Sequence, residues 1–208
     1  MAKQHLRLGA HMSIAGGVEK AIERGASVGC ETIQLFTKNN NQWRAHELTP
    51  AQIERFQALR AELDIHPIFA HDSYLINLAS PDDELWQKSV DAFTIELERC
   101  EVLELAGLVM HPGSHVGSGE AAGIQRVADG LSEAFRRLPG NRTEVWLETT
   151  AGQGSSLGHT FEQLRRILDG VNQPERIGIC LDTAHALAAG YELRTPAGYA
   201  ETFEEFER

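Results

Sequence analysis

Long apolar runs are missing from this sequence. No stretch of about eighteen consecutive apolar residues occurs, which leaves no candidate transmembrane helix. The N-terminus also lacks the basic stretch, apolar stretch and small-residue cleavage site of a secretory signal, so a soluble, intracellular protein is expected. Cysteine is scarce. Cys30, Cys100 and Cys180 are odd in number, far apart and outside any CxxC pattern, which argues against both a disulfide framework and a thiolate zinc site. They read as buried small apolar residues. Positive charge is short as well: 19 Lys and Arg stand against 30 Asp and Glu, for a net charge of −11. Broad electrostatic adhesion to nucleic acid depends on clustered cations replacing counterions, so a nucleic-acid partner here needs a local patch and bound metal. There is no Pro/Gly/Ser-rich linker, no low-complexity segment and no GxGxxG loop after the first strand.

What is present is an unbroken alternation of strand and helix signals. Strands are predicted near residues 6–11, 32–37, 66–71, 107–111, 145–149 and 177–182. Helices are predicted over 17–28, 49–63, 81–105, 119–138 and 160–169, with a last one starting at Pro196. Thr49 before Pro50, and Ser80 before Pro81, read as N-caps followed by proline at the first helical position. The pattern is α/β, a single domain over residues 1–208. A TIM (β/α)8-type barrel needs eight βα units and typically about 250 residues, so about six of the eight are visible, an incomplete barrel. A doubly wound open sheet fits less well, because functional-looking residues end most of the strands instead of clustering at one switch point.

Those strand ends carry the chemistry. IFAHD ends on His71, LVMHPG on His111, VWLETT on Glu148, and GICLDTAH brings Asp182 and His185, while LRLGAH ends on His11. In a parallel sheet the carboxyl ends of the strands face one way, so these side chains converge however far apart they are in sequence. Imidazole with carboxylate suits zinc or a similar first-row divalent ion. A lone strand-end histidine is ordinarily a hydrogen-bonded structural residue, and Asp182 could simply cap the following helical turn. It is the recurrence that turns the reading toward metal. Glu148 adds to it, because a carboxylate at the end of a buried strand is costly unless it is paired. His5, His46, His66 and His159 carry no signal.

The stretches LGAHMSIAGG, QLFTKNNNQW, HDSYLINLASP, HPGSH, LETTAGQGSSLG and CLDTAHALAAGYELRTP resemble, in order and spacing, the endonuclease IV family of abasic-site DNA repair enzymes. The resemblance covers essentially the whole chain. It implies a TIM barrel with three zinc ions that hydrolyses the phosphodiester 5′ to an abasic site in double-stranded DNA, leaving a 3′-hydroxyl. On this resemblance His71 and His111 bind the first zinc, Glu148 bridges it to the second, Asp182 holds the second and His185 the third. Glu148 has a secondary claim to act as a catalytic base. Tyr74 matches an aromatic pushed into the duplex at the lesion, and Lys38, Gln42 and Trp43 match a DNA-penetrating loop, in which Asn41 departs from the pattern by standing where some relatives carry an inserting arginine. His11 and His115 match no zinc ligand, which leaves His11 a role in supporting the ligands or in packing and His115 a place in a loop. The family's remaining ligands come from a seventh and an eighth strand that this sequence does not contain, so only the first ion has its full protein set.

Two other functions are open to this pattern. Sugar isomerases and epimerases of the xylose isomerase type share the barrel and its Glu, Asp and His ligands; the loops KNNNQW and HDSYLINLA would be idle in them. A non-catalytic remnant that binds metal or damaged DNA is the other. Open strand edges also lead us to expect self-association.

Overall fold

The structure, a computed structural model, describes residues 6–208; His5 lies outside them. Strands and helices alternate as β1 (Gly9–His11), α1 (Glu19–Ser27), β2 (Thr32–Phe36), α2 (Pro50–Glu62), β3 (Ile68–His71), α3 (Asp83–Val102), β4 (Gly107–Met110), α4 (Glu120–Arg137), β5 (Glu144–Glu148), α5 (Phe161–Gly170), β6 (Ile177–Cys180), α6 (Thr183–Ala189) and α7 (Pro196–Phe206). The six strands are ordered β1-β2-β3-β4-β5-β6. A helix between every pair of neighbours and an order that never reverses mean single winding, the arrangement of a (β/α) barrel; a doubly wound sheet changes direction at a switch point. Among the described residues no helix is long and apolar enough to cross a membrane.

The chain divides into two compact units, the first made of the residues up to Leu75 with Ile95–Leu108 and Asn141–Thr143, the second of Ile76–Thr94, Val109–Gly140 and Glu144–Arg208. In the first, β1, β2 and β3 pair in parallel, with Gly9 opposite Thr32 and Phe36 opposite His71. Alternation along TIQLF buries Ile33 and Leu35, and α1 and α2 bury Ala21, Ile22, Phe56 and Leu59 in the same core. Helix α2 begins as the sequence predicts: Thr49 and Gln52 form a reciprocal capping box with Pro50 in the first turn.

In the second unit β5 and β6 pair in parallel with Glu148 opposite Cys180. Helix α4 buries Ile124, Val127, Leu131 and Phe135, an apolar stripe at helical spacing. With Val145, Leu147, Leu164 and Ile167 these residues make the core of the unit, and the Arg176 guanidinium lies 4.1 Å from the centroid of the Phe135 ring.

Three expectations are corrected and one is extended. Strand β1 starts at Gly9, and Leu6 and Leu8, 78% and 71% exposed, precede it. Ser80 is not the cap of α3: the helix starts at Asp83, and Asp82 Oδ1 accepts the Leu85 N–H at 2.7 Å, since a carboxylate complements both the orphan donors and the positive end of a helix. Ser80 Oγ instead accepts the Asp82 N–H at 3.2 Å. The helical turn expected after Asp182 extends beyond one turn, as the short helix α6. Of the cysteines only Cys100 is buried, while Cys30 and Cys180 are half-buried.

Candidate metal centre

The second unit gathers four of the five expected ligands. Glu148 closes β5 and is 8% exposed, a burial at which an ionised carboxylate requires opposite charge or good hydrogen bonds. Its Oε2 lies 3.0 Å from His111 Nε2 and its Oε1 lies 3.7 Å from His185 Nδ1. One carboxylate thus has an imidazole ring beside each of its two oxygens. The two rings are 5.6 Å apart between centroids.

His111 follows β4 directly, and its loop is held by Asn77, a residue with no signal in the sequence. Asn77 Oδ1 accepts the Ser114 N–H at 2.9 Å and the Ala79 N–H at 3.1 Å, while Asn77 Nδ2 donates to the Ser114 carbonyl at 2.9 Å. Gly113 makes this possible: it adopts φ +106°, and a Cβ there would lie 2.3 Å from Asn77 Oδ1. On its other side the loop is zipped to the loop after β5. The Leu157 N–H donates to the Gly113 carbonyl at 2.8 Å, and the Ser114 and Ser155 hydroxyls are 2.7 Å apart.

Asp182 is both cap and candidate ligand. Oδ1 accepts the His185 N–H at 2.8 Å, capping α6, while Oδ2 lies 3.6 Å from His185 Nδ1. Thr149, at the end of β5, stitches this corner. Its hydroxyl accepts the Asp182 N–H at 2.9 Å and donates to the Asp182 carbonyl at 3.2 Å. Its own carbonyl lies 2.9 Å from His185 Nδ1, which makes Nε2 the lone-pair nitrogen of that ring and fixes the ring's orientation. Glu148, Asp182 and His185 each offer a ligand atom within 4.8 Å of the others. Burial, reinforced by the Glu148 and Asp182 carboxylates, pushes the neighbouring Cys180 thiol up to about 11. The donor set is imidazole and carboxylate, which fits a first-row divalent ion.

In the first unit His71 ends β3 and is 5% exposed. Its Nδ1 lies 2.8 Å from the Asp72 carbonyl, which makes Nε2 the lone-pair nitrogen here too. Its ring meets Phe36 and Tyr74 edge-on at 5.9 and 5.4 Å, and Phe36 and Tyr74 meet at 5.5 Å. Tyr74 is nonetheless 60% exposed. His11 is a packing residue: it tilts against Phe36 at 4.5 Å, with Nδ1 2.7 Å from Gln34 Oε1. His115 is a loop residue whose Nδ1 accepts the Gly119 N–H. Asn41 and Gln42 are exposed and Trp43 is half-buried. Lys38 departs from the sequence reading. Its side chain is buried, with Nζ 3.3 Å from Glu96 Oε1 and 2.8 Å from the Gln42 carbonyl, so the ammonium is turned into the unit and not toward a phosphate.

Residues 22–208 match the family described as xylose isomerase-like TIM barrel. A probable endonuclease 4 of Chloroflexus aurantiacus is 50% identical over 202 residues, which span 97% of this chain and 71% of that protein. The crystal structure of endonuclease IV from Thermus thermophilus superposes with a TM-score of 0.85 at 34% identity, covering 98% of this chain and 71% of that one. A D-tagatose 3-epimerase-like protein superposes with a TM-score of 0.72 at 21% identity over 95% of this chain and 72% of its own, a likeness of fold.

Proposed function

The chain belongs to the endonuclease IV family of xylose isomerase-like TIM barrels, and from that premise we propose that it is a zinc-dependent AP endonuclease acting on double-stranded DNA. The reaction is hydrolysis of the phosphodiester 5′ to an abasic site, leaving a 3′-hydroxyl. The observation that carries this reading is the buried carboxylate of Glu148, with His111 beside one oxygen, the His185 ring beside the other, and Asp182 able to offer a ligand atom within 4.8 Å of Glu148 and His185. In the proposed assignment His71, His111 and Glu148 hold the first ion, Glu148 and Asp182 the second, and His185 the third. Bound there, divalent ions supply Lewis acidity and lower the pKa of water enough to make it a nucleophile near neutral pH.

The chain's own residues do the positioning. Glu148 sets the spacing between its imidazole partners, Thr149 orients His185, and Asn77 holds the backbone that carries His111. No side chain is required as a nucleophile. Asn41, Gln42 and Tyr74 are the exposed groups assigned to DNA, and Lys38 contributes by shaping their loop from within. Tyr74→Ala should cost the lesion-reading step about 1–3 kcal/mol, the worth of one base–aromatic stack. Measured as the affinity for an abasic duplex relative to an intact one, that is roughly a 5- to 150-fold loss. An unchanged ratio removes Tyr74 from the interface.

The direct test is a duplex with one abasic site, incubated with the chain with and without EDTA, followed by analysis of the new ends. EDTA-sensitive incision 5′ to the site supports the assignment. Binding without incision leaves the non-catalytic reading. Epimerisation of a ketose with no action on DNA returns the protein to the sugar enzymes. We further propose that this chain self-associates through β1, whose three residues are all exposed; a monomer in light scattering at high concentration would count against it.

A further inference from the structure

One charged group in the first unit has no part in metal binding and is almost wholly buried. Glu96 is 1% exposed. It lies on the face of α3 that also carries Phe93 and Cys100, three residues before it and four after and both fully buried. A carboxylate on the apolar face of a helix costs several kcal/mol unless its oxygens are satisfied. The partners of Glu96 come from two loops. From the loop after β2, Thr37 Oγ1 donates to Oε2 at 3.3 Å and Lys38 Nζ approaches Oε1 at 3.3 Å. From the loop after β3, the Ser73 N–H donates to Oε1 at 3.0 Å.

The arrangement extends outward from that carboxylate. Lys38, held by Glu96, donates in turn to the Gln42 carbonyl at 2.8 Å. Ser73 Oγ donates to the Asn40 carbonyl at 2.6 Å, a direct tie between the loops. One turn further along α3, Arg99 donates from Nε and Nη2 to the Thr37 carbonyl and from Nη1 to the His46 carbonyl at 2.8 Å. The groups being held are mostly backbone. The side chains left exposed by this grip are Asn39, Asn41, Gln42 and Tyr74.

We infer that Glu96 is a positioning residue that locks the loop over residues 37–43 to the loop over residues 72–75, so that Asn41, Gln42 and Tyr74 meet DNA as one preorganised set. The loop locking stands on the hydrogen bonds alone; the consequence for lesion recognition rests on the function proposed above. Burial raises the Glu96 carboxyl and Lys38 draws it back down, in keeping with an ion pair whose two members need each other. Preorganisation is what such a lock contributes: loops already fixed lose less freedom on binding and discriminate more sharply.

Glu96→Gln is the informative change in the full chain. The amide keeps the size and can still accept the Ser73 N–H, but it leaves the buried Lys38 ammonium without its counter-charge. Hydrogen exchange should accelerate by about tenfold or more in both loops together, with α1 and α2 unchanged, because one opening exposes both. Lys38→Met in the Glu96→Gln background should restore part of the protection by removing the stranded charge. Ser73→Ala, a milder change that keeps the ion pair, should loosen the same two loops to a smaller degree and covers the case in which Glu96→Gln fails to fold. Acceleration in one loop alone, or in neither, overturns the lock.

The second readout is affinity for a duplex with a tetrahydrofuran abasic analogue relative to an intact duplex. The ratio should fall, by no more than the factor expected for Tyr74→Ala, since the ring remains but is no longer held in place. If the parent chain shows no preference for the analogue, the proposed function fails while the exchange data still judge the lock. If the parent discriminates and Glu96→Gln discriminates equally well despite loosened loops, the claim for lesion recognition is overturned.

Discussion

Glu148→Gln should leave the chain folded and strip it of tightly held metal. The amide is nearly isosteric, so packing around β5 is conserved. It carries no charge and turns an N–H donor toward one of the two imidazoles that Glu148 now addresses at 3.0 and 3.7 Å. Partners that only orient a ligand cost about 10- to 100-fold in affinity or activity when lost. A ligand facing two positions at once should cost more, roughly a thousandfold or beyond in abasic-site cleavage. Elemental analysis after dialysis reads the metal, and incision of an abasic duplex reads the activity. Zinc content and rate equal to the parent's would mean that Glu148 is buried for reasons other than metal binding.

The largest purely structural loss is expected at Phe135. The ring is 1% exposed in the core of the second unit and carries the Arg176 guanidinium over it at 4.1 Å. Truncation to alanine removes the buried surface, leaves a cavity and takes the face from beneath a cation, for about 3–5 kcal/mol. That is a large part of the roughly 5–15 kcal/mol by which folded proteins are stable, and it corresponds to a fall in Tm of about 10 °C or more. Urea denaturation should show a lower midpoint at an unchanged slope. A loss below about 1 kcal/mol would show that neighbouring side chains close over the site.

The candidate metal residues stood out in the sequence because parallel strands announce their own ends. GLVM and EVWLE are apolar to the last residue before His111 or on to Glu148, and a charged or ligating group there has few bland explanations. The ring-to-ring contacts of His71 and Tyr74 were not legible, since they depend on the register that sets Phe36 opposite His71. Asn77 and Thr149 were silent for a related reason: both act on backbone amides and carbonyls, which sequence does not distinguish from one another. Glu96 did leave a trace, a charge at the spacing of buried Phe93 and Cys100, yet in a helix as acidic as α3 a carboxylate reads as solvated surface. Lys38 misleads in the same way, because a lysine beside exposed asparagines looks free until its counter-charge is found beneath it.

The double duty of Asp182 has a thermodynamic consequence. Helix α6 spans seven residues, Thr183–Ala189, too short to persist on its own propensity. One oxygen of Asp182 starts that helix and the other faces His185, whose ring is itself carried by the first turn. A cation drawn to those groups would select the conformers in which α6 is formed, and a formed α6 raises affinity for the cation by the same factor. Filling the site and winding the chain beyond β6 would then be one coupled equilibrium.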